Sequence, residues 1–172
     1  HAANTMPAPY YRFSNTNNDS ISISASTNFP QGNNVRSIAA WINPAEIVSY
    51  RSIISWGDKT TTRKKWQFSI DGNGLRILTY GDDVASDGSL TAGERVHVVS
   101  VYDQTNLKFY INGVLDSTKT FSGTPNTGNK ATYIGDNAES EGAYEFDGEI
   151  YDVKVYNLAL TATEVKELSS GA

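Results

Sequence analysis

Three acids stand at alternate positions in Glu145-Phe146-Asp147-Gly148-Glu149. Residues two apart on a strand share a face, so this pattern could bring carboxyls together. Retaining glycoside hydrolysis needs one carboxyl as acid and another as nucleophile, roughly 5–5.5 Å apart. Against that chemistry, Asp147-Gly148 is a strong turn dipeptide and would break the strand. His97 could be a general base. It lies inside Val96-His97-Val98-Val99, alternating with apolar positions, which reads as a satisfied core or inter-sheet histidine. His1 is the other imidazole and there is no cysteine, so a catalytic zinc site has too few ligands.

Hard oxygen ligands are better represented. Calcium takes several at once from loops, and three regions offer them: Gly57-Asp58, Asp82-Asp83 with Asp87, and Asp136-Asn137 with Glu139 and Glu141. Each is also what a solvated loop carries. Sugars ask for something else. A pyranose stacks its C–H face on an aromatic ring while its hydroxyls bond polar side chains. Trp56, Trp66, Tyr80 and Tyr144 lie at or beside polar loops, with Trp56 balanced between surface and core. Trp41 reads as core; Tyr10, Tyr11, Tyr50 and Tyr102 have no assigned role. Lys64-Lys65 beside Arg63 reads as a solvated turn.

The 172 residues suffice for one domain with a sizeable core. Abundant Tyr, Ser, Thr and Asn with 14 glycines suit strands joined by turns. A net charge of −5 argues against nucleic acid or an anionic membrane as main partner. No apolar run reaches the roughly 20 residues of a membrane span. The chain begins at His1, and is expected to be a mature exported protein, secreted or extracellular. Asn18-Asp19-Ser20 is a glycosylation sequon.

Residues 1–9 read as an arm and 10–172 as one domain. Strands are expected at Tyr10–Phe13, at the alternating Ser20–Ser24, at Arg36–Pro44 with Ile38, Ala40 and Ile42 on one face, and at Ser52–Trp56. Lys65–Ile70 and Leu75–Tyr80 form a hairpin across Asp71-Gly72-Asn73-Gly74. Gly81–Gly93 is an acidic loop. Arg95–Tyr102 and Leu107–Ile111 follow, with Asn112-Gly113 as a hairpin turn, then a loop over 122–130 and a short strand at Thr132–Asp136. The last strand has Ile150, Asp152, Lys154 and Tyr156 on one face, and Tyr151, Val153 and Val155 on the core face. Thr161-Ala162-Thr163-Glu164 has capping-box spacing, with Val165 and Leu168 at helical spacing after it.

The order of these landmarks resembles laminin-G-like domains, a group that includes the pentraxins and the concanavalin-A-like jelly rolls. The resemblance rests on Phe146, Gly148, Ile150, Tyr156-Asn157, Leu158, Leu160 and Glu164 at the end of the chain. It also rests on Phe13 with Asn18-Asp19 and Ile21-Ser22-Ile23, on Ser37-Ile38 with Trp41-Ile42 and Pro44, on Tyr110-Ile111-Asn112-Gly113, and on Ile134-Gly135-Asp136. The tryptophan usual two residues before His97 is replaced by Arg95. The resemblance implies an all-β, two-sheet antiparallel jelly-roll sandwich with one short C-terminal helix.

It further implies a carbohydrate-binding, non-catalytic module that depends on calcium. By position in pentraxins, Asp58, Asp136, Asn137 and Glu139 would hold the metal, with Trp56 and Tyr144 completing the sugar site. In some laminin-G-like modules a structural calcium sits where the terminal strands meet, here at Asp19 and Asp152. Glu145, Asp147 and Glu149 resemble the acid triplet of laminarinase-type glycosidases, but those enzymes carry it mid-chain with much sheet after it. A protein-binding adhesion module and a β-glucan hydrolase are the alternatives. The expected partner is a glycoconjugate, with avidity from homo-oligomers or a longer chain.

Overall fold

The computed structural model of the protein describes residues 9–58, 60–137 and 144–170. Among these residues, twelve strands make two antiparallel sheets of six. The first contains, in spatial order, β1 (Tyr11–Phe13), β12 (Gly148–Tyr156), β3 (Arg36–Pro44), β8 (Val96–Tyr102), β9 (Asn106–Ile111) and β10 (Val114–Thr120). The second contains β2 (Ile21–Ile23), β11 (Thr132–Ile134), β4 (Arg51–Gly57), β5 (Lys65–Asp71), β6 (Gly74–Leu78) and β7 (Val84–Ala85). This is the expected jelly-roll sandwich. The edge strand β7 lies within the stretch expected to be loop. Of the expected N-terminal arm, residues 1–8 lie outside the described residues.

Alternation builds the core. Ile38, Ala40 and Ile42 of β3 face Trp66, Phe68 and Ile70 of β5 and their neighbours across the sandwich. The other face of β3 is also covered. Ala39, Val99, Val101 and Tyr110 receive Leu160 from the segment after β12 and Val165 from helix α1 (Ala162–Ser170). Val165 is fully buried there. The helix starts where the capping box requires: Thr161 N donates to the Glu164 carboxylate at 2.7 Å, and Glu164 N donates to Thr161 Oγ1 at 3.3 Å. Ser37 holds the approach to the helix. Its hydroxyl donates to Leu158 O at 2.8 Å and accepts from Leu160 N at 3.0 Å. At the β9–β10 turn, Asn112 and Gly113 both have positive φ, as a type I′ hairpin demands.

Two expectations about facing fail, each for a local reason. In β12, Ile150 belongs to the core with Val153 and Val155, not to the outer face with Asp152. A bulge between Tyr151 and Lys154, opposite β3, inserts one residue and switches the alternation. Asp152, at φ 53°, is the residue that absorbs it. In β2 the alternation does not bury a whole face. Ile21 packs on the core, whereas Ile23 is exposed at the sheet edge.

Because the left-handed backbone at Asp152 sets which side of β12 faces inward, Asp152→Val should lower stability by about 1–3 kcal/mol through strain. Asp152→Gly should stay within about 0.5 kcal/mol of the parent, since its exposed ion pair with Lys154 contributes little. Urea midpoints of the three proteins check this; equal midpoints for the valine and glycine variants would remove the bulge from its assigned role.

Candidate functional site

The outer face of the second sheet is polar and yet buried. Trp66, Phe68 and Ile70 point into the core, so Lys65, Gln67 and Ser69 point outward, beside Ser52 and Ser55 of β4. All five are under 9% exposed. Asp136, Asn137 and Tyr144 lie over them. The Asp136 carbonyl accepts from Ser52 Oγ and Ser55 Oγ, both at 3.0 Å. Asn137 Nδ2 donates to Gln67 Oε1 at 3.2 Å, and Gln67 Nε2 to Ser69 Oγ at 2.8 Å. Ser52 N donates to the Tyr144 carbonyl at 2.8 Å. The Tyr144 ring, half-buried, lies 5.6 Å from that of Tyr50, which is 38% exposed. The Lys65 ammonium sits 5.6 Å from the Tyr144 centroid. A partly exposed tyrosine pair edged by an ammonium can stack on an apolar sugar face and donate to a hydroxyl. Tyr50 had no role from sequence, and Lys65 is not the solvated turn residue expected there.

Asp58 does not join this group. It follows the last residue of β4, whereas Asp136 lies beside Ser52 near its start, as the pairing of Ile134 with Ile54 requires. The Asp58 carboxylate closes on its own loop, accepting from Thr60 N at 2.8 Å and Thr60 Oγ1 at 2.6 Å. Those bonds hold its pKa below the ordinary aspartate value. Of the calcium ligands expected from pentraxin positions, Asp58 is therefore separated from Asp136 and Asn137. Asn137 spends its amide on Gln67, and Glu139, with Glu141, lies outside the described residues. Asp82 pairs with Arg63, Asp83 accepts from Thr79 N at 2.9 Å, and Asp87 accepts from Lys119 at 2.5 Å. Among the described residues no three acidic or histidine side chains are placed to share an ion. Asp19 accepts from Ser14 N at 3.1 Å. It lies past the end of β1, while Asp152 lies before its start, given the pairing of Tyr11 with Ile150.

Trp56 is core rather than sugar platform. It is 2% exposed, and its Nε1 donates to Pro30 O at 2.9 Å. Trp66 is fully buried as well; Tyr80 is 53% exposed. The acid triplet is split by Gly148, where β12 begins. Glu145 is buried ahead of the strand, and Glu149 is committed to Arg12 at 3.0 Å.

A groove of about 720 Å³ lies at the opposite end of β4, where β3 begins, between the 27–35 loop, Gln104 and Asn157. Sequence reasoning missed it. The available signal was a run of amides, Asn28, Gln31, Asn33 and Asn34, but nothing in the sequence joins that run to the β8–β9 turn and the end of β12.

The family model described as the concanavalin A-like lectin/glucanases superfamily matches residues 15–166. Among curated proteins no sequence match is found. Among solved structures, domain 4 of AbnA, an extracellular arabinanase from Geobacillus stearothermophilus in complex with arabinotriose, is 20% identical with a TM-score of 0.68. The alignment covers 87% of this chain and 72% of that one. The CBM40 module of the Ruminococcus gnavus sialidase, bound to α2,3-sialyllactose, is 18% identical with a TM-score of 0.67, covering 88% and 96%. A heptameric pentraxin from Limulus polyphemus is 18% identical with a TM-score of 0.63, covering 87% and 81%. At such identities the likeness is one of fold.

His97 is neither satisfied nor inter-sheet. It lies on the outer face of the first sheet, 3% exposed, its ring 5.0 Å from that of Trp41 and its Nδ1 without a hydrogen-bond partner among the described residues. Burial, with a smaller push from Lys154 and opposed by Asp152, lowers its pKa from 6.5 to about 4. The unfolded chain then binds the proton first, so this group costs stability as pH falls from 6.5 to about 4. The loss is on the order of 3 kcal/mol. His97→Phe should flatten the pH dependence in that window. Urea midpoints at pH 7, 5.5 and 4 would check it, and parallel slopes for parent and variant would reject the assignment.

Proposed function

The chain belongs to the concanavalin A-like lectin/glucanases superfamily, and from that membership we propose that it is a non-catalytic carbohydrate-binding module of extracellular setting. The observation that carries the reading is the Tyr50–Tyr144 pair beside Lys65, a partly exposed stacking surface on a hydrogen-bonded polar sheet face. Structures of the same fold bind arabinotriose and sialyllactose, which supports a sugar as the ligand class. Tyr50 and Tyr144 would stack on the sugar, and Lys65 would donate to a hydroxyl. Asn137 would stay tied to the sheet face through Gln67. Calcium belongs in this proposal only at the Asp136 end, with Asp136 and Glu139 as its carboxylates. Asp58 takes no part.

A hydrolase finds little support. Its two carboxylates would be Glu145 and Glu149, of which one is buried outside the strand and the other is ion-paired. A glycan array run with calcium and again with EDTA tests the proposal, followed by Tyr144→Ala on whichever glycan binds. Losing one stacking contact of about 1–1.5 kcal/mol should weaken that glycan roughly tenfold. Full affinity in a folded Tyr144→Ala variant would move recognition off this face. Binding that survives EDTA would remove calcium from the proposal and leave the module. No glycan bound in either condition would replace it with a protein-recognition module.

A further inference from the structure

The groove at the start of β3 is chemically unlike the Tyr144 face. None of the nine residues lining it is charged, in a chain where 19% of residues are. Its side chains are amides from three loops, Asn28, Gln31 and Asn34, with Gln104 and Asn157, set beside the half-buried ring of Phe29. Its volume, about 720 Å³, falls in the roughly 300–1,000 Å³ range of small-ligand sites.

The backbone beneath these amides is held from below. Pro30 O accepts from the Trp56 indole at 2.9 Å. Gly32 O and Asn34 O accept from the buried Arg36 guanidinium at 2.7 and 2.9 Å. Asn33 is taken on both sides, its Oδ1 by Tyr102 Oη at 2.7 Å and its carbonyl by Gln104 Nε2 at 3.0 Å. Asn33 and Gln104 thus spend their side chains on structure. Asn28, Gln31, Asn34 and Asn157 do not: none makes a side-chain hydrogen bond to the described residues. Three unspent amides stand on the loop held this way and the fourth, Asn157, just after β12, and each can both donate and accept.

We propose that this groove is a second binding site, for a neutral oligosaccharide, and that it works without calcium. A hydroxyl is itself donor and acceptor, so carboxamides match it in either sense. A charged ligand would meet no opposite charge here. Phe29 supplies an apolar surface for sugar C–H groups. No carboxylate lines the groove, so nothing in its lining offsets the charge of a hard cation. A loop already ordered before binding costs the complex less entropy than one that must order on contact. The proposal rests on the carbohydrate reading above, but assigns a different place and a different ligand class.

The test uses the whole chain in EDTA, titrated with arabinotriose, cellotriose and maltotriose, with 3′-sialyllactose as the charged comparison. Side-chain amide NMR signals of Asn28, Gln31, Asn34 and Asn157, assigned by single substitution, are followed throughout. At least one neutral trisaccharide should move these signals. Asn34→Ala/Asn157→Ala, both at exposed positions, should weaken that sugar tenfold or more with an unchanged melting temperature. A trisaccharide that binds while sparing these signals, with full affinity in the double variant, overturns the groove and leaves the carbohydrate reading standing. A groove that responds to sialyllactose alone overturns the neutral class. No response to any of the four, together with an empty glycan array, overturns the groove and the carbohydrate reading alike.

Discussion

One guanidinium carries much of this sandwich. Arg36 is 1% exposed and has no carboxylate partner among the described residues. It lies 4.5 Å from the Trp66 ring centroid and 6.0 Å from those of Trp56 and Tyr102. Its donors go to neutral oxygens, Gly32 O, Asn34 O and Thr127 Oγ1. Burial lowers its pKa to about 10, which still leaves it charged at neutral pH. A charge in such a place is tolerable only because aromatic faces and aligned carbonyls replace the water it lost. The carbonyls it recruits belong to the 30–35 loop, so the same residue closes the core and shapes the surface above it.

That coupling recurs elsewhere. Trp56 fills the core with its rings and fixes Pro30 with its indole N–H. Tyr102 packs at 5.2 Å against Trp66 and fixes Asn33 with its hydroxyl. On the far side, Ser52, Ser55 and Gln67 hold Asp136 and Asn137, and the Ser52 amide holds the Tyr144 carbonyl. Large or polar groups with one end in the sandwich and one under a loop make the loops extensions of the core. Surfaces built this way are more ordered than their loop character suggests.

Elements governed by local chemistry were legible in the sequence. The alternation of β3, the Asn112-Gly113 turn and the Thr161–Glu164 capping box each follow from neighbours within a few residues. Features set by pairing between distant strands were not. The bulge in β12 needs Asp152 in a left-handed conformation, which aspartate tolerates but does not advertise. The separation of Asp58 from Asp136 follows from the register of β11 on β4, and the burial of Trp56 from a loop that folds back over it. The amide groove gathers three loops that only the finished topology brings together. Resemblance to pentraxins carried the calcium ligands by order along the chain, and order does not specify which end of a strand a residue reaches.

The pairing of β1 with β12 has a kinetic consequence. The bond between Arg12 and Glu149 spans 137 residues, and β12 also supplies a long edge of pairing to β3. The first sheet therefore cannot be completed until the last strand arrives, and its central neighbour β3 must wait with one side open. Contacts this distant make folding slow, on the order of milliseconds to seconds for such topologies. Until β12 docks, Ile38, Ala40 and Ile42 sit on a strand with an unpaired edge, which is where a partly made chain would stick to its neighbours.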